Sequence, residues 1–96
     1  MPVKYSVILP TYNERENIER LIGEIFSFLG QAAEIIVVDD NSPDGTWQKI
    51  EEIKPDYPGL KLLRRMKNPG LVASLKEGLD AAEGEIIVWL DADGSM

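Results

Sequence analysis

Hydrophobic positions along the chain change period six times. Tyr5 to Leu9 (YSVIL) is a short, β-prone apolar run halted by Pro10, which predicts a buried strand over residues 5–9. Ile18, Leu21, Ile22, Ile25 and Leu29 then recur at helical spacing, and Gly30 supplies a stop. Asn13, with Glu16 three residues later, has the spacing of a capping box at the start of that helix. Glu34 to Val38 (EIIVV) predicts a second buried strand, ending in Asp39-Asp40. The turn-rich Asn41-Ser42-Pro43-Asp44-Gly45 follows. Trp47, Ile50 and Ile53 mark a second helix that must finish before Pro55. Leu60 to Leu63 is a third strand, and Asn68-Pro69-Gly70 turns the chain again. Leu71, Val72, Leu75, Leu79 and Ala82 give a third helix, closed by Gly84, and Glu85 to Leu90 (EIIVWL) is a fourth strand.

The element order is therefore β-α-β-α-β-α-β within one small domain, residues 1–96. Continuous Val/Ile/Leu strands alternating with helices imply an α/β fold with a doubly wound parallel sheet, covered on both faces. The strand order expected is 3-2-1-4. All strand carboxyl ends then lie along one edge, with the crevice where the order reverses, between strands 1 and 4.

The polar residues fall at that edge. Thr11-Tyr12-Asn13-Glu14 follows strand 1, Asp39-Asp40 strand 2, Arg64-Arg65 strand 3, and Asp91 and Asp93 strand 4. Carboxylates converging on one crevice repel, so a metal ion, Arg64, or both should offset them. Carboxylate oxygens suit Mg2+ or Mn2+, which often bridge one or two carboxylates and a substrate diphosphate. Taken singly, each motif has a plainer reading. Asp40 alone is a turn or cap residue, Asp91-Ala92-Asp93 a solvated tail, Arg64-Arg65 a solvated pair, and Trp47 and Trp89 core packing. Acidic clusters at successive strand ends favour the functional reading.

Composition narrows the chemistry. The 96 residues contain no cysteine and no histidine, which excludes disulfides, a histidine zinc site and a Ser-His-Asp triad. A net charge of −7 argues against nucleic acid as a partner. Apolar runs of strand length and an N-terminus without a signal-peptide pattern lead to the expectation of a cytoplasmic, soluble protein.

Four segments, in order, resemble family 2 glycosyltransferases. They are Ser6 to Glu14 (SVILPTYNE), Val37 to Thr46 (VVDDNSPDGT), Asn68-Pro69-Gly70-Leu71 with Ala73, Gly78, Ala82 and Gly84, and Asp91-Ala92-Asp93-Gly94. The Asn-Glu-Arg-Glu-Asn run and the Ser-Pro-Asp-Gly-Thr loop are most similar to the dolichol- or polyprenyl-phosphate mannosyltransferase branch. The resemblance implies the N-terminal, nucleotide-sugar-binding half of a GT-A fold. It implies that Pro10, Tyr12, Glu14, Val38 and Asp40 hold the nucleotide and that Arg64 approaches it. Asp91 and Asp93 would hold the diphosphate through a divalent metal, and Ala92 would touch the nucleotide. The implied reaction moves a sugar from a GDP- or UDP-sugar to an acceptor, a polyprenyl or dolichyl phosphate, with inversion. The implied location is the cytoplasmic face of a membrane.

Family members continue past the Asp-x-Asp into an acceptor half, so the chain is expected to be truncated there. It would carry a donor site without a catalytic residue, and would be inactive alone. Its fourth strand would offer an exposed edge for self-association. Three alternatives remain. One is a non-catalytic nucleotide-binding module. A phosphoacceptor receiver domain would place its acidic pair after strand 1 rather than strand 2. A dinucleotide-binding domain lacks its G-x-G-x-x-G after strand 1.

Overall fold

The computed structural model describes residues 3–66 and 71–90. Its elements are β1 (Tyr5–Thr11), α1 (Arg15–Leu29), β2 (Ala33–Asp39), α2 (Thr46–Ile53), β3 (Leu60–Arg64), α3 (Leu71–Ala81) and β4 (Ile86–Trp89). The four strands form one sheet in the order β3-β2-β1-β4, and every pair is parallel. The order expected from the sequence is the order found.

Pleating sends alternate side chains to opposite faces. Val7, Leu9, Ile35 and Val37 meet Ile18, Ile22 and Ile25 of α1 and Ile50 and Ile53 of α2 on one face. Ile8, Ile36 and Val38 face the other way, against Leu75 and Ala81 of α3. The result is three layers with the sheet in the middle, which is why β1 and β2 carry no polar alternation. Close approach of α3 has a specific cause: a Cβ on Gly78 would come within 2.6 Å of Ile8 Cγ2.

Three expectations change. Pro10 does not end β1, which runs on to Thr11. The amide of Leu90 donates to the carbonyl of Ile8, so even-numbered β1 residues aim their polar groups toward β4. The last β1–β4 pair is Ile8 with Trp89, so Pro10, which has no N–H to donate, sits where that ladder ends. Second, β4 is not a buried strand. Ile86, Ile87 and Trp89 are 43%, 43% and 49% exposed, because among the described residues β4 pairs only with β1. Trp89 is therefore not core. Third, Asn13 and Glu16 do not form a capping box. Asn13 has a left-handed backbone (φ 56°), the N-cap is Glu14, and no side-chain cap bond forms within the helix.

Candidate functional site at the carboxyl edge of the sheet

The amides leading into α1 are satisfied from the β2–α2 loop and the first residue of α2. Ser42 Oγ accepts from the amide of Asn13 at 2.9 Å, Thr46 Oγ1 from Glu14 at 2.9 Å, and Asp44 Oδ2 from Arg15 at 3.1 Å. Below them lies Asp39, fully buried. Its Oδ1 accepts from the hydroxyls of Thr11 and Ser42, both at 2.6 Å, and its Oδ2 from the amide of Ser42 at 2.8 Å. The β1–α1 and β2–α2 loops are thus laced into one rim. Asp44 is held below its ordinary carboxylate value. Desolvation works against its ionisation, but the Thr46 hydroxyl and the amides of Arg15 and Thr46 outweigh it.

The Asp39-Asp40 pair divides its labour by alternation. Asp39 points into the rim. Asp40 turns to the α3 side, where Arg65 Nη1 donates to its Oδ1 at 3.0 Å and Ser74 Oγ donates to the same oxygen at 3.1 Å. Arg65 also pairs through Nε with Glu77 Oε2 at 2.6 Å, an ionic contact without good hydrogen-bond alignment. Its side chain is only 6% exposed.

Arg64, one residue earlier, takes the opposite face. Its guanidinium lies 3.7 Å above the Trp47 ring and donates to Asn41 Oδ1 from Nε and Nη2 at 3.2 and 2.9 Å. The arginines are therefore not a solvated pair. The cation that meets Asp40 is Arg65 rather than Arg64, and Trp47 is a half-buried stacking platform for Arg64 rather than a member of either core cluster.

Other expected site residues sit on the same edge. Tyr12 is exposed, Pro10 and Glu14 are half-buried, and Val38 is fully buried on the α3 face, so its backbone is what it can offer to the edge. Asp91, Ala92 and Asp93 lie outside the described residues. Among the described residues no three acidic side chains converge as a metal cage, and no helix is long and apolar enough to cross a membrane. Sequence reasoning missed Arg65, Ser74, Asn41 and the inward role of Asp39. Strand alternation through Arg64-Arg65 was the one signal that could have separated the two arginines.

A doubly wound parallel sheet in the order 3-2-1-4 is an architecture that GT-A glycosyltransferase structures share. The chain belongs to glycosyl transferase family 2, whose pattern it matches over residues 6–96. It is 49% identical over 92 residues to a dolichol-phosphate mannosyltransferase of Pyrococcus furiosus, covering 95% of this chain and 26% of that protein. It is 32% identical to the dolichol-phosphate mannosyltransferase of Saccharomyces cerevisiae, covering 97% of this chain and 36% of that one. Among solved structures it superposes with a TM-score of 0.84 on the mannosyltransferase PcManGT of Pyrobaculum calidifontis, in complex with GDP-Man and Mn2+. That match has 33% identity and covers 97% of this chain and 28% of the other. The chain thus spans about a quarter to a third of the length of these relatives.

Proposed function

We propose that these residues are the donor site of an inverting glycosyltransferase that uses a GDP- or UDP-sugar and delivers the sugar to a polyprenyl or dolichyl phosphate. The carrying observation is the laced rim of residues 11–14 and 40–46, with Asp40 held at its side. In this reading Asp40 accepts a hydrogen bond from the nucleobase, Pro10, Tyr12 and the Val38 backbone line the base, and Glu14 closes the rim. Arg64, flat on Trp47, lies beside the base or ribose.

Asp91 and Asp93 are the hard-oxygen donors that would hold Mg2+ or Mn2+, with Ala92 between them. The described structure supports that assignment indirectly, since Asp40 is engaged by a cation of the protein. When bound, the metal would offset charge on the departing diphosphate. A lipid phosphate acceptor is already anionic, so it needs no strong base, in keeping with a chain without histidine. The similarity to two dolichol-phosphate mannosyltransferases supports that acceptor.

Calorimetric titration of GDP and UDP, in Mn2+ and in chelator, tests the donor site. Asp93→Asn should remove most of the metal enhancement, whereas Asp40→Ala should weaken binding in both conditions. Equal affinity of the unaltered protein with metal and with chelator would count against the metal assignment. A loss at Asp40→Ala confined to Mn2+ would move Asp40 into the metal site. Transfer of radiolabelled mannose to polyprenyl phosphate by the whole protein tests the acceptor, and transfer only to other acceptors would overturn it.

A further inference from the structure

Among the described residues Arg65 is one of three buried charged side chains, with Glu34 and Asp39, and it alone is a cation. It reaches two carboxylates from different elements: Asp40 at the end of β2 and Glu77 on α3. Ser74, three residues before Glu77 and so on the same face of α3, donates to the Asp40 oxygen that Arg65 holds. α3 is thereby tied to Asp40 directly through Ser74 and by way of Arg65 through Glu77, and Asp40 is the carboxylate read above as the contact for the base. The sequence resemblance assigns no role to Arg65, Ser74 or Glu77.

We propose that Arg65 is the positioning residue of the base site, fixing the Asp40 carboxylate and linking it to the seating of α3 through Glu77. The Asp40 side chain is 17% exposed, and a part-buried carboxylate is held in place by the countercharge beside it. The planar guanidinium meets Asp40 with one nitrogen and Glu77 with another, a double engagement that a lysine ammonium cannot reproduce at both positions. Binding at Asp40 and the docking of α3 are then linked, and the linkage acts in both directions. The inference rests on the reading of Asp40 as a base contact, and the test separates the two.

GDP and UDP are titrated in chelator, so that metal plays no part, into the unaltered protein and into Asp40→Ala, Arg65→Met, Arg65→Lys and Glu77→Gln. Arg65→Met should weaken binding by about tenfold or more, close to the loss at Asp40→Ala, because Asp40 loses its countercharge. Arg65→Lys should restore part of that loss. Glu77→Gln should weaken binding by roughly two- to fivefold, and the Arg65→Met/Glu77→Gln pair should be no worse than Arg65→Met alone, since coupled residues are not additive. Folded Arg65→Met protein that binds within about twofold of the original, while Asp40→Ala does not, would overturn the role of Arg65 and leave the base site standing. Asp40→Ala protein that binds normally would overturn the base site itself. If Arg65→Met fails to fold, Glu77→Gln decides. A lowered melting temperature with unchanged nucleotide affinity would make Arg65 a structural staple and defeat the proposal.

Discussion

The carboxylate of Asp44 lies on the surface, yet hydrogen bonds hold it below its ordinary value of 3.8. Its stabilising effect is therefore present above that value and fades as pH falls through the lower folded one. It caps an amide of α1 from outside the helix, so Asp44→Ala should cost about 1 kcal/mol, typical of a lost cap. Urea unfolding at neutral pH measures this, and an unchanged midpoint would show that water replaces the carboxylate without loss. Such a role cannot be read locally. Asn13 and Glu16 have the spacing of a capping box, but the chain bends over the strand ends there. Three side chains from residues 42–46 reach the helix amides first. Arg64 and Arg65 teach the same lesson. Their types are visible in the sequence, whereas the partner each finds depends on which face of β3 it leaves.

At the scale of elements, one polar node at the opposite edge of the sheet joins three strands and a turn. Glu34, at 1% exposure, pairs with Lys61 of β3 at 2.6 Å and accepts from Ser6 Oγ at 2.6 Å and the Glu83 amide at 2.7 Å. The Gly84 amide donates to Ser6 Oγ at 2.7 Å, and a Cβ on Gly84 would meet that oxygen at 2.6 Å. This fastens the chain just ahead of β4. Burial pushes the Glu34 carboxyl up, but Lys61, Ser6 and the Glu83 amide outweigh it and hold it below its ordinary value of 4.5. The node's stabilisation is therefore complete above about pH 4.5 and is lost as pH falls through the lower folded value. Lys61 moves the other way. Its bond to Glu34 raises it above its ordinary 10.5 against the pull of desolvation, so its share persists below that value and is lost as pH rises through the higher folded one. Glu34→Ala should cost on the order of 3 kcal/mol near pH 7, and Glu34→Gln should flatten the acid limb of stability. Thermal melts from pH 3 to 7 that keep the same acid slope in Glu34→Gln would place the acid sensitivity elsewhere.

For the molecule as a whole, sheet order and layering were legible because β1 and β2 are apolar on both faces, a pattern that a parallel sheet between two helical layers requires. Burial of β4 was not legible. Periodicity shows which residues are apolar but not what lies over them, so Trp89 read as core and proves about half exposed. With Ile86, Ile87 and Trp89 uncovered and one edge unpaired among the described residues, the 96-residue chain should self-associate through β4. Sedimentation should show mass rising with concentration, and Ile87→Lys should return it to a monomer. A constant monomer mass at high concentration would refute this. The lacing of the rim also carries a consequence for the order of assembly. The side-chain bonds that join its two loops link residues 28 to 32 apart, so each of those partners is available once Thr46 has left the ribosome. The stitch that secures β4 closes a loop of 78 residues, from Ser6 to Gly84. Short closures cost less chain entropy than long ones. The laced rim should therefore acquire protection in pulsed hydrogen exchange before the β1–β4 ladder does, and simultaneous protection would show that the sheet closes in one step. A nascent chain would then hold the β1–α1 and β2–α2 loops joined while Arg65, Ser74 and the fourth strand are still being made.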